Sequence, residues 1–207
     1  MSLRSRFFAL TYDRQLAKVE RAGLRAMRER LLGHAAGRVL EIGAGTGANL
    51  PLYGHAVASL TLTEPERPML RRLEGKLNGL EPRPAVLRAP AEDLPFADGA
   101  FDTVVSTLVL CGVDDQPRAL REVRRVLRPG GRLLFLEHVR SDEPGLARTQ
   151  DRMNGVNRFV AGCDCNRPTL ATIQAAGFDV TELEQTTMQK VPKFVRPLIV
   201  GTAVAPS

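Results

Sequence analysis

Apolar residues in this chain recur in two spacings. Compact runs at 38–42, 59–64, 85–88, 101–110, 132–139, 178–186 and 195–204 read as strands. Helical spacing marks 66–77, 116–127 and 168–176, and a further helix is expected over about 46–54. Residues 13–32 read as an N-terminal helix, with Leu16, Val19, Gly23, Ala26 and Met27 on one side and Arg14, Lys18, Arg21, Arg25 and Arg28 largely elsewhere. Between 140 and 166 the pattern is long and less regular, and no element is predicted there.

Strands alternating with helices imply an α/β fold, a Rossmann-like doubly wound sheet with right-handed crossovers. Seven strands are expected, mostly parallel. The run at 101–110 is apolar almost throughout, as a strand covered on both faces requires, so it is central. The last two strands are only about ten residues apart and are expected to pair as an antiparallel edge hairpin. One domain over 1–207 is expected, with residues 1–34 forming N-terminal cap helices.

The first strand ends in Glu41-Ile42-Gly43-Ala44-Gly45-Thr46-Gly47. Three alternating glycines allow positive φ and close approach of the main chain to a ligand. The second strand closes on Glu64, 21 residues after Gly43, the separation at which a carboxylate reaches a ribose hydroxyl pair in nucleoside-binding sheets. Glu92 and Asp93 sit beside the end of the third strand, where one of them can accept from the exocyclic amine of a base; a first-turn helix acid or a surface carboxylate would look the same.

Composition narrows the class. In 207 residues, 43% are apolar and 25% charged, as in a globular protein. No run approaches the ~18 apolar residues of a membrane span, and the opening segment is short for a signal peptide, so a cytoplasmic location is expected. The net charge is +6, and residues 1–40 hold nine Lys/Arg against three Asp/Glu, an excess of 9 − 3 = +6. That basic front suits either a solvated helix face or contact with an anionic ligand or acidic membrane surface. Cys111, Cys163 and Cys165 make no disulfide framework, and with His34, His55 and His138 they supply no zinc-like spacing, so no metal is expected.

The pattern acid-x-Gly-x-Gly-x-Gly at 41–47, the acid Glu64, and the helix-Pro129-Gly130-Gly131-strand that follows strand four together resemble the class I S-adenosylmethionine-dependent methyltransferases over about 36–140. The resemblance implies S-adenosylmethionine as cofactor and S-adenosylhomocysteine as product. It implies that Glu41, Gly43, Ala44, Gly45 and Gly47 belong to the site of the methionine and ribose. It places Glu64 on the ribose hydroxyls, Pro65 near the adenine, Glu92 and Asp93 at the adenine edge, and Ser106, Thr107 and Leu108 beside the methionine. Tyr12 and Asp13 look like the pair that closes over the cofactor in many small-molecule members.

The segments 107–113, 120–131 and 137–139, with Gly162-Cys163 and Val195-Arg196-Pro197, resemble the methyltransferase-like alkyl thiol methyltransferases of animals. This implies a small apolar thiol as acceptor. Those animal proteins carry an N-terminal hydrophobic anchor, and none is expected here. Quinone C-methyltransferases and phospholipid N-methyltransferases are similar over the same region and remain alternatives, as does a cofactor-binding protein without catalysis. Nucleic acid is not expected as substrate: the Asp/Asn-Pro-Pro-aromatic motif is missing after strand four, and aromatic residues are only 5% of the chain. His138, at the end of strand five, is the first candidate for a base because imidazole titrates near neutrality. Asp164 is the second.

Overall fold

The computed structural model describes residues 17–206. Residues 13–16 of the expected first helix, and Tyr12 and Asp13 with them, lie outside the described residues. From 17 the chain is helical, passes through a π-helical turn at Glu20–Leu24 where Gly23 takes φ 123°, and continues as α1, Arg25–Leu32. It then alternates: β1 Gly37–Ile42, β2 Val57–Thr63, α2 Arg67–Lys76, β3 Ala85–Leu87, β4 Phe101–Thr107, α3 Gln116–Val126, β5 Leu127–His138, α4 Pro144–Ala161, α5 Thr169–Ala175, β6 Asp179–Thr187 and β7 Pro197–Val204.

Seven strands form one sheet in the order β3-β2-β1-β4-β5-β7-β6. Those from β3 to β5 are parallel, while β7 is antiparallel to both β5 and β6. The expected hairpin is present, with its antiparallel strand slotted inside the sheet and β6 at the edge. Strand order reverses between β1 and β4, which opens a crevice at their carboxyl ends.

Period-2 alternation divides the core between the two faces of the sheet. Leu40, Ile42, Val104, Leu133 and Phe135 pack with Leu120, Val123 and Ile173 of α3 and α5. Their neighbours Val39, Val105, Leu134 and Leu136 pack with Leu24, Leu31 and Leu32 of the N-terminal helix. Of the arginines on α3, Arg118, Arg121 and Arg124 are exposed, while Arg125 is half-buried and donates to Glu122, Asp98 and the carbonyls of Leu94 and Phe96.

Two elements differ from the reading above. No α-helix follows the glycine turn, only a 3₁₀ turn at Leu50–Leu52, because Pro51 has no N–H to donate and Gly54 follows closely. Conversely, α4 fills most of the stretch 140–166. Pro144 opens it and Gly162 ends it in the left-handed conformation. Its buried residues are Ala147, Gln150 and Asn157, so no large apolar stripe announces it.

Gly201 shows how tightly β7 is inserted. A Cβ there would stand 2.2 Å from the Glu182 carbonyl and 2.7 Å from the Phe135 ring. Gly201→Ala is therefore expected to lower unfolding stability by about 1–3 kcal/mol, the usual cost of overpacking. Urea denaturation checks this, and an unchanged midpoint would contradict the register.

Candidate active site

At the carboxyl end of β1 the chain turns through Gly43, Gly45 and Gly47, with φ of 56°, 57° and 80°. Gly43 is needed for space as well as conformation: a Cβ would lie 2.7 Å from the Val109 methyls, so the turn after β1 and the turn after β4 touch there. Gly45 differs, since nothing lies within 4 Å of its Cβ direction. Its backbone thus borders open space.

Glu64 directly follows the last residue of β2 beside this turn, and its two oxygens accept from the N–H groups of Gly45 and Glu66, both at 2.8 Å. Burial raises its pKa, against those backbone hydrogen bonds. A carboxylate oxygen has two lone pairs, so acceptor capacity remains for hydroxyls. An open glycine turn with a buried carboxylate at its flank fits the ribose and methionine of S-adenosylmethionine.

Beneath the turn lies a buried polar network. Glu41 accepts from Asn49 (2.9 Å) and the Tyr53 hydroxyl (2.7 Å). Asn49 also donates to Thr107 Oγ1 at 2.9 Å. Arg28 reaches in from α1, donating to Asn49 Oδ1 (2.9 Å), Thr107 Oγ1 (2.6 Å) and Glu20 (3.0 Å). It is only 3% exposed, whereas Lys18, Arg21 and Arg25 are exposed as a solvated helix face requires, so Arg28 alone departs from that expectation. The network ties the N-terminal helix to β1 and β4 at the crevice, and Glu41 is held within it, 2% exposed.

Burial raises the Glu41 pKa to about 7, against hydrogen bonds from Tyr53 and Asn49 and the charge of Arg28. Between about pH 4.5 and 7 the native chain keeps a proton that the unfolded chain has released, so Glu41 makes stability fall as pH rises through that window. The slope is about 1.4 kcal/mol per pH unit and the total about 3 kcal/mol. Glu41→Gln should remove this, so the stability of the variant relative to the parent should grow from pH 5 to 7. His138 contributes the opposite slope and cancels in that difference. Urea unfolding at the two pH values measures it.

The turn after β4 is braced from β5. Glu137, fully buried, accepts from Ser106 Oγ (2.7 Å) and the N–H groups of Val109 (3.0 Å) and Cys111 (3.3 Å). Leu108 is held at φ 61°, with its N–H donating to the Leu136 carbonyl at 2.7 Å. A bulky residue in the left-handed region is strained, and such strain persists where surroundings impose it. The structure therefore brings together Gly43, Ala44, Gly45, Gly47, Glu64, Thr107 and Leu108. The role of Glu137 was missed, although a lone acid ending an apolar run already required buried partners.

The expected bases do not have a base's chemistry. His138 stands at the end of β5, 6% exposed, and its Nδ1 has no hydrogen-bond partner. Burial pulls its pKa down to about 4, against backbone hydrogen bonding at Pro197 and Val195. Such an imidazole is a poor proton acceptor from a thiol of pKa ~8.5. Asp164 is locked by Asn154, Arg158 and Arg167. Burial pulls its pKa up, but the hydrogen bonds from Arg167 and Asn154 and the charges of Arg167 and Arg158 outweigh this and lower it. It is a clamp: its N–H donates to the Cys111 carbonyl at 2.8 Å. The Cys111 thiol is pushed well up by its hydrogen bond with Cys163 and by burial, and burial takes Cys165 to about 11, so neither is a ready nucleophile.

Pro65 follows Glu64, its carbonyl accepting from Arg88 at 2.9 Å. Glu92 accepts from the N–H groups of Asp114 (2.8 Å) and Asp115 (3.3 Å), so it steadies the approach to α3, while Asp93 is exposed. Tyr12 lies outside the described residues. Among the described residues no group of three or more His, Cys, Asp or Glu could hold a metal ion, and no helix is long and apolar enough to cross a membrane.

Residues 40–135 match a family model described as "Methyltransferase domain". Human thiol S-methyltransferase TMT1A is 31% identical over 201 residues, covering 95% of this chain and 82% of that protein. Phosphatidylethanolamine N-methyltransferase of Cereibacter sphaeroides is 37% identical over 144 residues, covering 67% and 68%. Among solved structures, a SAM-dependent methyltransferase from Thermotoga maritima superposes with a TM-score of 0.72 at 23% identity, covering 99% of this chain and 100% of that one. With the glycine turn, Glu64 and the strand order already pointing to that cofactor, the chain belongs to the S-adenosylmethionine-dependent methyltransferases of the Rossmann-like class.

Proposed function

We propose that this enzyme methylates the sulfur of a small, apolar thiol. One observation carries the reading. Similarity to the thiol S-methyltransferase TMT1A extends over 95% of the chain, whereas similarity to the phosphatidylethanolamine enzyme stops at 67%. The wider match reaches well beyond 40–135, into the elements that flank the acceptor side.

In this reading Gly43, Ala44, Gly45 and Gly47 line the methionine and ribose of the cofactor, Glu64 takes the ribose hydroxyls, and Pro65 lies near the adenine, with Glu92 and Asp93 toward its edge. Thr107 and Leu108 pass beside the methionine, and Glu41 acts through Asn49 and Thr107. S-adenosylmethionine supplies an already activated methyl group on a sulfonium. What the protein adds is alignment of the acceptor sulfur in line with that methyl, which is worth several kcal/mol of barrier. A small alkyl thiol, a weaker acid than a cysteine of pKa ~8.5, is scarcely ionised at neutral pH, and with burial holding His138 near 4 its proton goes to solvent.

Two trends test this. The kcat/KM for straight-chain alkyl thiols should rise with chain length, and its pH profile should follow the thiol's own ionisation, which lies above the cysteine value of ~8.5, with no step near the ordinary histidine value of ~6.5. Turnover confined to a quinol or to phosphatidylethanolamine would sink the thiol acceptor and leave the enzyme class intact.

A further inference from the structure

The turn after β4, residues 108–113, is held by side chains that reach it from two other parts of the chain. Its N–H groups go to β5, where Glu137 accepts from Val109 and Cys111. Its carbonyls go to the segment that follows α4. There the Arg167 guanidinium donates to Leu110 at 3.0 Å and to Val113 at 2.7 Å, and the Asp164 N–H donates to Cys111 at 2.8 Å. Arg167 is itself fixed. Asp164 accepts from its Nε at 3.1 Å and its Nη2 at 2.6 Å, its carbonyl accepts from the Arg140 N–H at 2.8 Å, and only 15% of its side chain is exposed. Two residues on, the Thr169 hydroxyl donates to the His138 carbonyl at 3.0 Å, which ties the segment to the end of β5.

A planar guanidinium bonded to two carbonyls and a carboxylate fixes geometry as well as adding energy. The need for it lies in Leu108. A bulky side chain at φ 61° relaxes to an ordinary conformation unless its surroundings prevent it. Relaxation would also move Val109, whose methyls stand 2.7 Å from where a Gly43 Cβ would lie, and so would reach the glycine turn.

We propose that Arg167 is a positioning residue for methyl transfer: by holding the carbonyls of Leu110 and Val113 it keeps Leu108 in the conformation that faces the methionine of the cofactor. The proposal rests on the placement of Leu108 beside the methionine in the reading above, and not on which acceptor is methylated.

The test binds S-adenosylmethionine carrying a ¹³C methyl and reads that methyl by NMR, beside kcat, affinity for S-adenosylhomocysteine and urea unfolding. Arg167→Met removes the guanidinium, and Arg167→Lys keeps the charge but cannot span both carbonyls. Both should move the bound methyl signal from its place in the parent. In Arg167→Met kcat should fall roughly ten- to a hundred-fold, the cost of a misaligned reacting centre, with Arg167→Lys between it and the parent. Affinity for S-adenosylhomocysteine should stay close to the parent's, because Glu64 and the glycine turn hold the nucleoside. Asp102→Asn is the structural control: it strips Arg38 and Arg128 of their shared carboxylate at the amino end of β4, so it should lower the urea midpoint and leave signal and kcat unchanged. Leu108→Ala should move the signal by itself. A signal that Leu108→Ala moves and both Arg167 variants leave in place would overturn the positioning role. A signal that none of the three moves would overturn the placement of Leu108, and the proposal with it. A fall in kcat that Asp102→Asn shares, in step with the urea midpoint, would also overturn the proposal, since the role of Arg167 would then be structural alone. Turnover is read with whichever of an alkyl thiol, a quinol or phosphatidylethanolamine the parent methylates, so failure of the thiol acceptor leaves this test intact.

Discussion

Glu64→Ala is expected to weaken binding of S-adenosylmethionine by about 1.5–3 kcal/mol, roughly ten- to a hundred-fold in affinity. The carboxylate closes β2 within 2.8 Å of the Gly45 N–H and carries lone pairs for two vicinal hydroxyls. Removing it takes away a charge-assisted contact and also leaves the N–H groups of Gly45 and Glu66 without their acceptor. Glu64→Gln keeps an oxygen for one of them and loses the charge, so its effect should be intermediate. Calorimetry with S-adenosylhomocysteine checks both, and undiminished affinity in Glu64→Ala would mean that the ribose lies elsewhere.

The second large effect concerns stability. Arg28→Met keeps the aliphatic stem but removes a guanidinium that is 3% exposed and bonded to Glu20, Asn49 and Thr107. Breaking a buried ionic group on one side strands its partners, at a cost of about 3–5 kcal/mol. The charge of Arg28 also holds down the pKa of Glu41, so that carboxyl should be driven further toward its neutral form. Loss in urea midpoint measures the effect. A loss below about 1 kcal/mol would mean that water replaces the guanidinium and that the network is not closed.

The contrast between Glu64 and Arg28 shows what the sequence can reveal. Glu64 was legible because it follows the glycine turn at a fixed separation and closes a strand whose carboxyl end must face the crevice. Strands β1, β4 and β5 were legible for a related reason: apolar runs covered on both faces leave few alternatives. Arg28 was hidden among arginines of similar spacing, and only the packing of α1 on the sheet selects which one turns inward. The helix α4 was hidden because its inner face is small and polar, with Gln150 bonding the Val139 and Cys165 carbonyls instead of filling an apolar pocket. The expected helix at 46–54 failed on Pro51. His138 and Asp164 stand in acceptor-side segments, but burial in one case and two arginines in the other set their protonation, and neither environment is local in sequence.

The most direct test of the central claim follows one methyl group. S-adenosylmethionine carrying a trideuterated methyl is incubated with the purified protein and a mixture of an alkyl thiol, a quinol and phosphatidylethanolamine, and the products are read by mass spectrometry. The account predicts the label on sulfur, as the methyl thioether of the alkyl thiol. Label confined to the ring carbon of the quinol or to the lipid amine would contradict it.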